Sequence, residues 1–234
     1  YFVGTARAVI ARNRMTPAGE VASLHITMVQ SVVGGATAED VTFADNIMTC
    51  GSGSCVFFSG TPRAWITGNR LTAAAAVSGI HVQGSAAAEM AGATDGTRVE
   101  QNTVTATAPS TNGLFGGIRV RDGSGIVVTD NLVTGPWQNS VIITAVLGGE
   151  VARNELRGAS QYGILFGSNN IPAVRPLVDG VAVRNNRVTG AGGGAGVQFS
   201  CRNVFVGNSL NGNVRGVEFF PESGANTLVG NGTI

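Results

Sequence analysis

The chain has 234 residues, enough for one sizeable core. A formal net charge of +1 gives no basic surface for nucleic acid or an anionic membrane, and 35 glycines with only 12% charged residues suit tight turns around a core rather than disorder. All 15 Lys+Arg residues are arginine, which excludes lysine-dependent chemistry, and the apolar runs are too short for membrane insertion.

From the N-terminus onward one short pattern recurs: an apolar residue, two spacers, an asparagine, a spacer and another apolar residue, as in Ile66-Thr67-Gly68-Asn69-Arg70-Leu71. The aligned asparagines are Asn13, Asn46, Asn69, Asn102, Asn131, Asn154, Asn186, Asn208 and Asn231, at spacings of 33, 23, 33, 29, 23, 32, 22 and 23. A base period of 22–23 residues with occasional insertions is that of a solenoid. Between successive asparagines falls a pair of apolar residues around one marker residue, usually preceded by glycine. The pairs are Leu24/Ile26, Val56/Phe58, Ile80/Val82, Ile118/Val120, Val141/Ile143, Ile164/Phe166, Val197/Phe199 and Val217/Phe219. Their β-branched and aromatic side chains favour strands, and alternation turns each pair inward and its marker outward. The markers are His25, Phe57, His81, Arg119, Ile142, Leu165, Gln198 and Glu218. On this reading Phe166 and Phe199 are buried, whereas Leu165 and Gln198 are exposed.

No hairpin signal joins the strands. Coiling the chain so that each strand stacks in parallel on its counterpart one period later buries every pair. This predicts about nine rungs in a rod roughly 40 Å long. Asparagine tolerates the left-handed backbone of a sharp bend, and stacked amides can bond along the axis. The nine asparagines are therefore expected to form a structural ladder.

Insertions localise to loops at 84–96, 105–116 and 167–179 and to one more after the His25 strand, and loops on a rigid scaffold carry binding function. The first holds Glu89 and Asp95 and could form one helical turn over 86–91. Cys50 and Cys55 bracket a turn: they close a local disulfide, which implies an oxidising compartment, or remain two small buried thiols. Cys201 has no evident partner, and the cysteine spacing is not that of a zinc site. The chain begins at Tyr1 and stops at Ile234 without the capping units solenoids need, so residues 1–234 are expected to be a single domain from a longer protein.

The asparagine repeat and the Gly-apolar-x-apolar segments together resemble the right-handed parallel β-helix of pectate-lyase-like proteins, over the whole chain. The resemblance implies an all-β, single-stranded right-handed parallel β-helix. It does not choose among polysaccharide lyases, glycoside hydrolases, sugar epimerases, phage tailspikes and non-catalytic surface proteins. The catalytic patterns of those enzymes are mostly missing: there are no adjacent aspartates, no lysine and no Asp-Pro, and the histidines sit in Leu24-His25-Ile26 and Ile80-His81-Val82.

One outward patch carries chemistry: His81 and Gln83 on one rung, with Arg119, Arg121 and Asp122 on the next. The catalytic candidates are His81, Arg119 and Asp122. The substrate-binding candidates are Gln83, Arg119, Arg121 and, from the 105–116 loop, Phe115. A histidine base and an arginine that neutralises a uronate carboxylate suit β-elimination. Hydrolysis needs two carboxyl groups about 5–10 Å apart, which Asp122 with Glu89 or Asp95 supplies only if the loop folds over. The same patch also reads as a solvated sheet face that is polar because it must be. His25 reads as structural, and no metal or cofactor is expected.

Three functions follow. The first is an extracellular or cell-surface module, a rigid scaffold contacting polysaccharide or partner proteins without catalysis in this segment. The second is a polysaccharide lyase or glycoside hydrolase at a groove around His81 and Arg119. The third is a trunk segment of a phage-tail or injection-machine fibre, which would be a homotrimer within a larger assembly.

Overall fold

A computed structural model describes residues 2–3, 6–16, 24–27, 39–76, 78–84, 94–110, 116–167 and 178–232; side chains at 2–3, 24–27, 52–53 and 74–76 are outside the description. All regular structure among these residues is strand, and every named strand pairing is parallel.

The coil is set by two corners. In each period two residues with positive φ lie five positions apart: 40 and 45, 63 and 68, 125 and 130, 202 and 207. A three-residue strand runs between them, such as Thr42–Ala44 or Trp65–Thr67. The ladder asparagine follows the second corner. This corrects the expected role of asparagine in the bend. The left-handed position is taken by the residue before it, for example Asp45, Gly68, Asp130 or Arg153. Asparagine keeps its own amide aligned with the axis, so both its N–H and its side chain reach the next coil.

Nine asparagines, Asn13 through Asn231, are joined in this way by side-chain amide bonds. At the middle, Asn131 Oδ1 accepts from the backbone N–H and the Nδ2 of Asn102, both at 3.0 Å. Its own N–H and Nδ2 donate to Asn154 Oδ1 at 3.0 and 2.9 Å, and Nδ2 also donates to the Val99 carbonyl at 2.8 Å. Seven of these asparagines, Asn46 through Asn208, are buried, so the ladder satisfies polar groups that water does not reach.

Three strand stacks enclose the core. One leads into the ladder. A second follows it in a 7-stranded sheet, with Met48, Leu71, Val104 and Val133 facing in. The third carries the apolar pairs. The long strands Gly116–Thr129 and Asn139–Ala152 run through both the first and third stacks and join them into one 18-stranded sheet. Most apolar pairs follow a glycine that sits where the third stack closes on the second. A Cβ at Gly79 or Gly117 would collide with Val104 or Val133. Cys55 occupies this same position one coil earlier, in register with the Gly79 coil, and its disulfide to Cys50 closes that corner across 5.4 Å between Cα atoms. Both cysteines are buried. Outside, charges pair between the corners of neighbouring coils, as in Arg153–Asp130 and Arg63 with Glu39 and Asp40.

Two expectations about facing are corrected. The register partners of Ile164, Leu165 and Phe166 are Ala195, Gly196 and Val197. The apolar pair of that rung is therefore Ala195/Val197 with Gly196 as marker, not Val197/Phe199 with Gln198. Phe199 lies at a third corner with φ +43°, and it and Gln198 are half-buried. Leu165 faces outward yet is buried, in a second apolar cluster with Ile142 and Tyr162, against which Phe220 packs. Phe166 is fully buried in the main core.

Candidate functional site

The two apolar pairs that flank the candidate residues fix their direction. Ile80, Val82, Ile118 and Val120 are fully buried in the main core, so His81 and Arg119 between them project from the other face. His81 and Arg119 are register partners on adjacent strands, and Phe57 is the partner of His81 on the other side. The rings of Phe57 and His81 meet edge to face with centroids 5.0 Å apart. His81 and Arg119 are each only 5% exposed. This face is therefore covered at its centre rather than open to solvent.

Burial dominates the electrostatics. It pushes the His81 imidazole down to about 3, with the Arg119 and Arg121 guanidinium groups adding to the shift. Arg119 is lowered to about 10, first by burial and then by Arg121, against the opposing pull of Asp122. Arg121 forms an ion pair with Asp122, Nε to Oδ2 at 2.7 Å. Asp122 turns the chain with φ +64° and lies against Gly84, where a Cβ would sit 2.8 Å from the Asp122 Cβ. Gln83 is half-buried beside its register partner Ser59. The structure thus brings His81, Arg119, Arg121 and Asp122 together on neighbouring strands. Asp95 accepts a hydrogen bond from the Ser124 N–H at 2.6 Å, while Asp122 serves Arg121. Phe115, Leu114, Glu89 and the helical turn expected over 86–91 lie outside the described residues.

A base lowered to about 3 is a poor proton acceptor near neutral pH, where effective general bases have values close to the working pH. No group of three or more His, Cys, Asp or Glu side chains that could hold a metal occurs among the described residues.

One outer-face cluster escaped the sequence reading. Tyr162 lies across Gly193 and Gly196, where a Cβ would come within 2.6 and 3.1 Å of its ring. Its hydroxyl donates to Glu218 Oε2 at 2.6 Å, and Arg215 sits over the ring while pairing with the same carboxylate. Burial, then Glu218, pushes the phenol up to about 12. The signal was the run Gly192-Gly193-Gly194-Ala195-Gly196, whose missing side chains leave room for a ring from the coil before.

The sequence model of the right-handed β-helix region family matches residues 72–233. No curated protein and no solved structure matches the chain.

Proposed function

The chain belongs to the right-handed β-helix family, and from that premise we propose that it serves as an extracellular or surface-exposed rigid scaffold that contacts glycans or partner proteins without catalysis in this segment. The observation that carries this reading is the state of His81. The side chain best placed to act as a base is buried against Phe57 and held neutral, with little affinity for a proton. The buried Cys50–Cys55 bond supports an oxidising compartment, because such bonds persist outside the reducing cytosol.

The test is incubation with a panel of acidic and neutral polysaccharides, followed for new reducing ends and for unsaturated uronate absorbance. The scaffold reading expects neither signal. Product formation that His81→Ala or Arg119→Ala abolishes would overturn it in favour of a lyase or hydrolase at the His81 face. Light scattering in solution addresses assembly: a trimer would favour the fibre-trunk reading over an independent module.

A further inference from the structure

A second preorganised group lies on the outer surface of the stack that leads into the ladder, away from the His81 face. We propose that Trp65, Arg98 and Glu100 form a platform for a neutral pyranose, and that the module engages glycans there; the proposal rests on the glycan-contacting reading above. Trp65 and Arg98 are register partners on the adjacent strands Trp65–Thr67 and Arg98–Glu100. Glu100, two residues beyond Arg98, shares their face. Trp65 is 46% exposed, and its indole N–H donates to Glu100 Oε2 at 3.0 Å. Arg98 donates to the same carboxylate through Nε at 3.2 Å and Nη2 at 2.7 Å, and the Thr129 hydroxyl donates to it at 3.3 Å. One carboxylate thereby fixes an exposed indole and an exposed guanidinium side by side.

That arrangement matches the chemistry of a sugar. A pyranose has an apolar C–H face, which stacks on an indole, and a rim of hydroxyls, which bond to the guanidinium edge that faces away from Glu100. Fixing the ring beforehand removes part of the entropy cost of ordering it on binding. The register partner of Trp65 on its other side is the short Thr42, so the indole stands above its surroundings. Charge selects the class of glycan. The Arg98 cation is matched by Glu100, so the platform offers no unmatched positive charge to a uronate.

The test is affinity gel electrophoresis of the whole chain through neutral polymers (hydroxyethylcellulose, glucomannan, arabinoxylan) and uronate polymers (polygalacturonate, alginate). Trp65→Ala, Trp65→Phe and Arg119→Ala run beside the parent, each checked by thermal melting. At least one neutral polymer should retard the chain. Trp65→Ala should weaken that retardation about tenfold or more, the loss expected of an aromatic anchor, while Arg119→Ala should not. Binding should also shift the Trp65 emission, a change that Trp65→Phe removes and that buried Trp137 does not reproduce. Retardation by uronate polymers alone, retardation by none, or a Trp65→Ala variant that binds like the parent overturns the proposal. Binding lost in Arg119→Ala and kept in Trp65→Ala would leave glycan contact standing and its location wrong. Cleavage of a polymer would instead defeat the non-catalytic reading.

Discussion

Asn131 links three consecutive coils through one side chain. Truncating it takes the acceptor from the buried backbone N–H of Asn102 and a donor from the Val99 carbonyl, while the Nδ2 of Asn102 keeps the Ile66 and Glu100 carbonyls. Asn131→Ala should therefore lower stability by about 3 kcal/mol, read from the denaturant midpoint. Asn131→Asp should be no milder, because a carboxylate would face Asn154 Oδ1. Asn13, exposed to water, should tolerate alanine far better. His81 makes a second residue-scale prediction. Its folded value of about 3 lies below its usual 6.5, so between those limits the unfolded chain binds the proton and the folded chain does not. The stability present above pH 6.5 should decline on acidification by about 1.4 kcal/mol per pH unit until pH nears 3. Asp40, Glu100 and Asp130 are also held low, by Arg63, Arg98 and Arg153, and contribute their own loss only at more acid pH. His81→Phe, which keeps an aromatic ring beside Phe57, should flatten the profile between pH 4.5 and 6.5 in urea titrations at stepped pH.

At the scale of the strand, facing decides cost. Phe166→Ser removes a fully buried ring from the main core and should cost about 3–5 kcal/mol. Leu165→Ser, on the opposite face, should cost about 2 kcal/mol, because Leu165 packs with Ile142 and Tyr162 instead of meeting solvent. Equal midpoints for the two variants would mean the faces are misassigned. The disulfide acts on one corner only. Its sequence separation of 5 closes a short loop, so Cys50→Ala/Cys55→Ala should lower stability by about 2 kcal/mol without changing the far-ultraviolet spectrum.

Most of this was legible in the sequence because each stack repeats a local constraint. The ladder was visible in the asparagine spacing, and the His81/Arg119 register in the apolar pairs around them. The reading failed at Val197/Phe199, where two overlapping apolar pairs fitted the same pattern. The small Ala195 hid the true inward position, and only the register with Ile164 and Phe166 distinguishes them. The cover over Ile142 and Leu165 was also illegible. It depends on Tyr162 crossing two glycines to meet Glu218, 56 residues away.

For the whole molecule, each coil touches mainly the coils before and after it, so stability should behave as a sum of neighbour terms. Asn46 and Asn186 are five ladder steps apart, roughly 24 Å at the usual strand spacing. Their alanine variants should add within about 0.5 kcal/mol in a double-mutant cycle. Asn131 and Asn154, bonded at 2.9 Å, should show a coupling of about 1 kcal/mol or more. Equal coupling in both cycles would mean the coils unfold through contacts the ladder does not describe.

The constant five-position span between the two corners has a consequence for inheritance. Length varies elsewhere in the period, so one coil is a unit that replication errors can copy or drop. Loss of residues 132–154 in frame would put Glu155 in the place of Leu132, already its register partner, and bring Asn131 next to Asn186. The reading frame and the geometry would survive the same event. A lineage carrying such a gene could lengthen or shorten its rod in steps of about 4.8 Å while selection on the Trp65 and His81 faces proceeds separately.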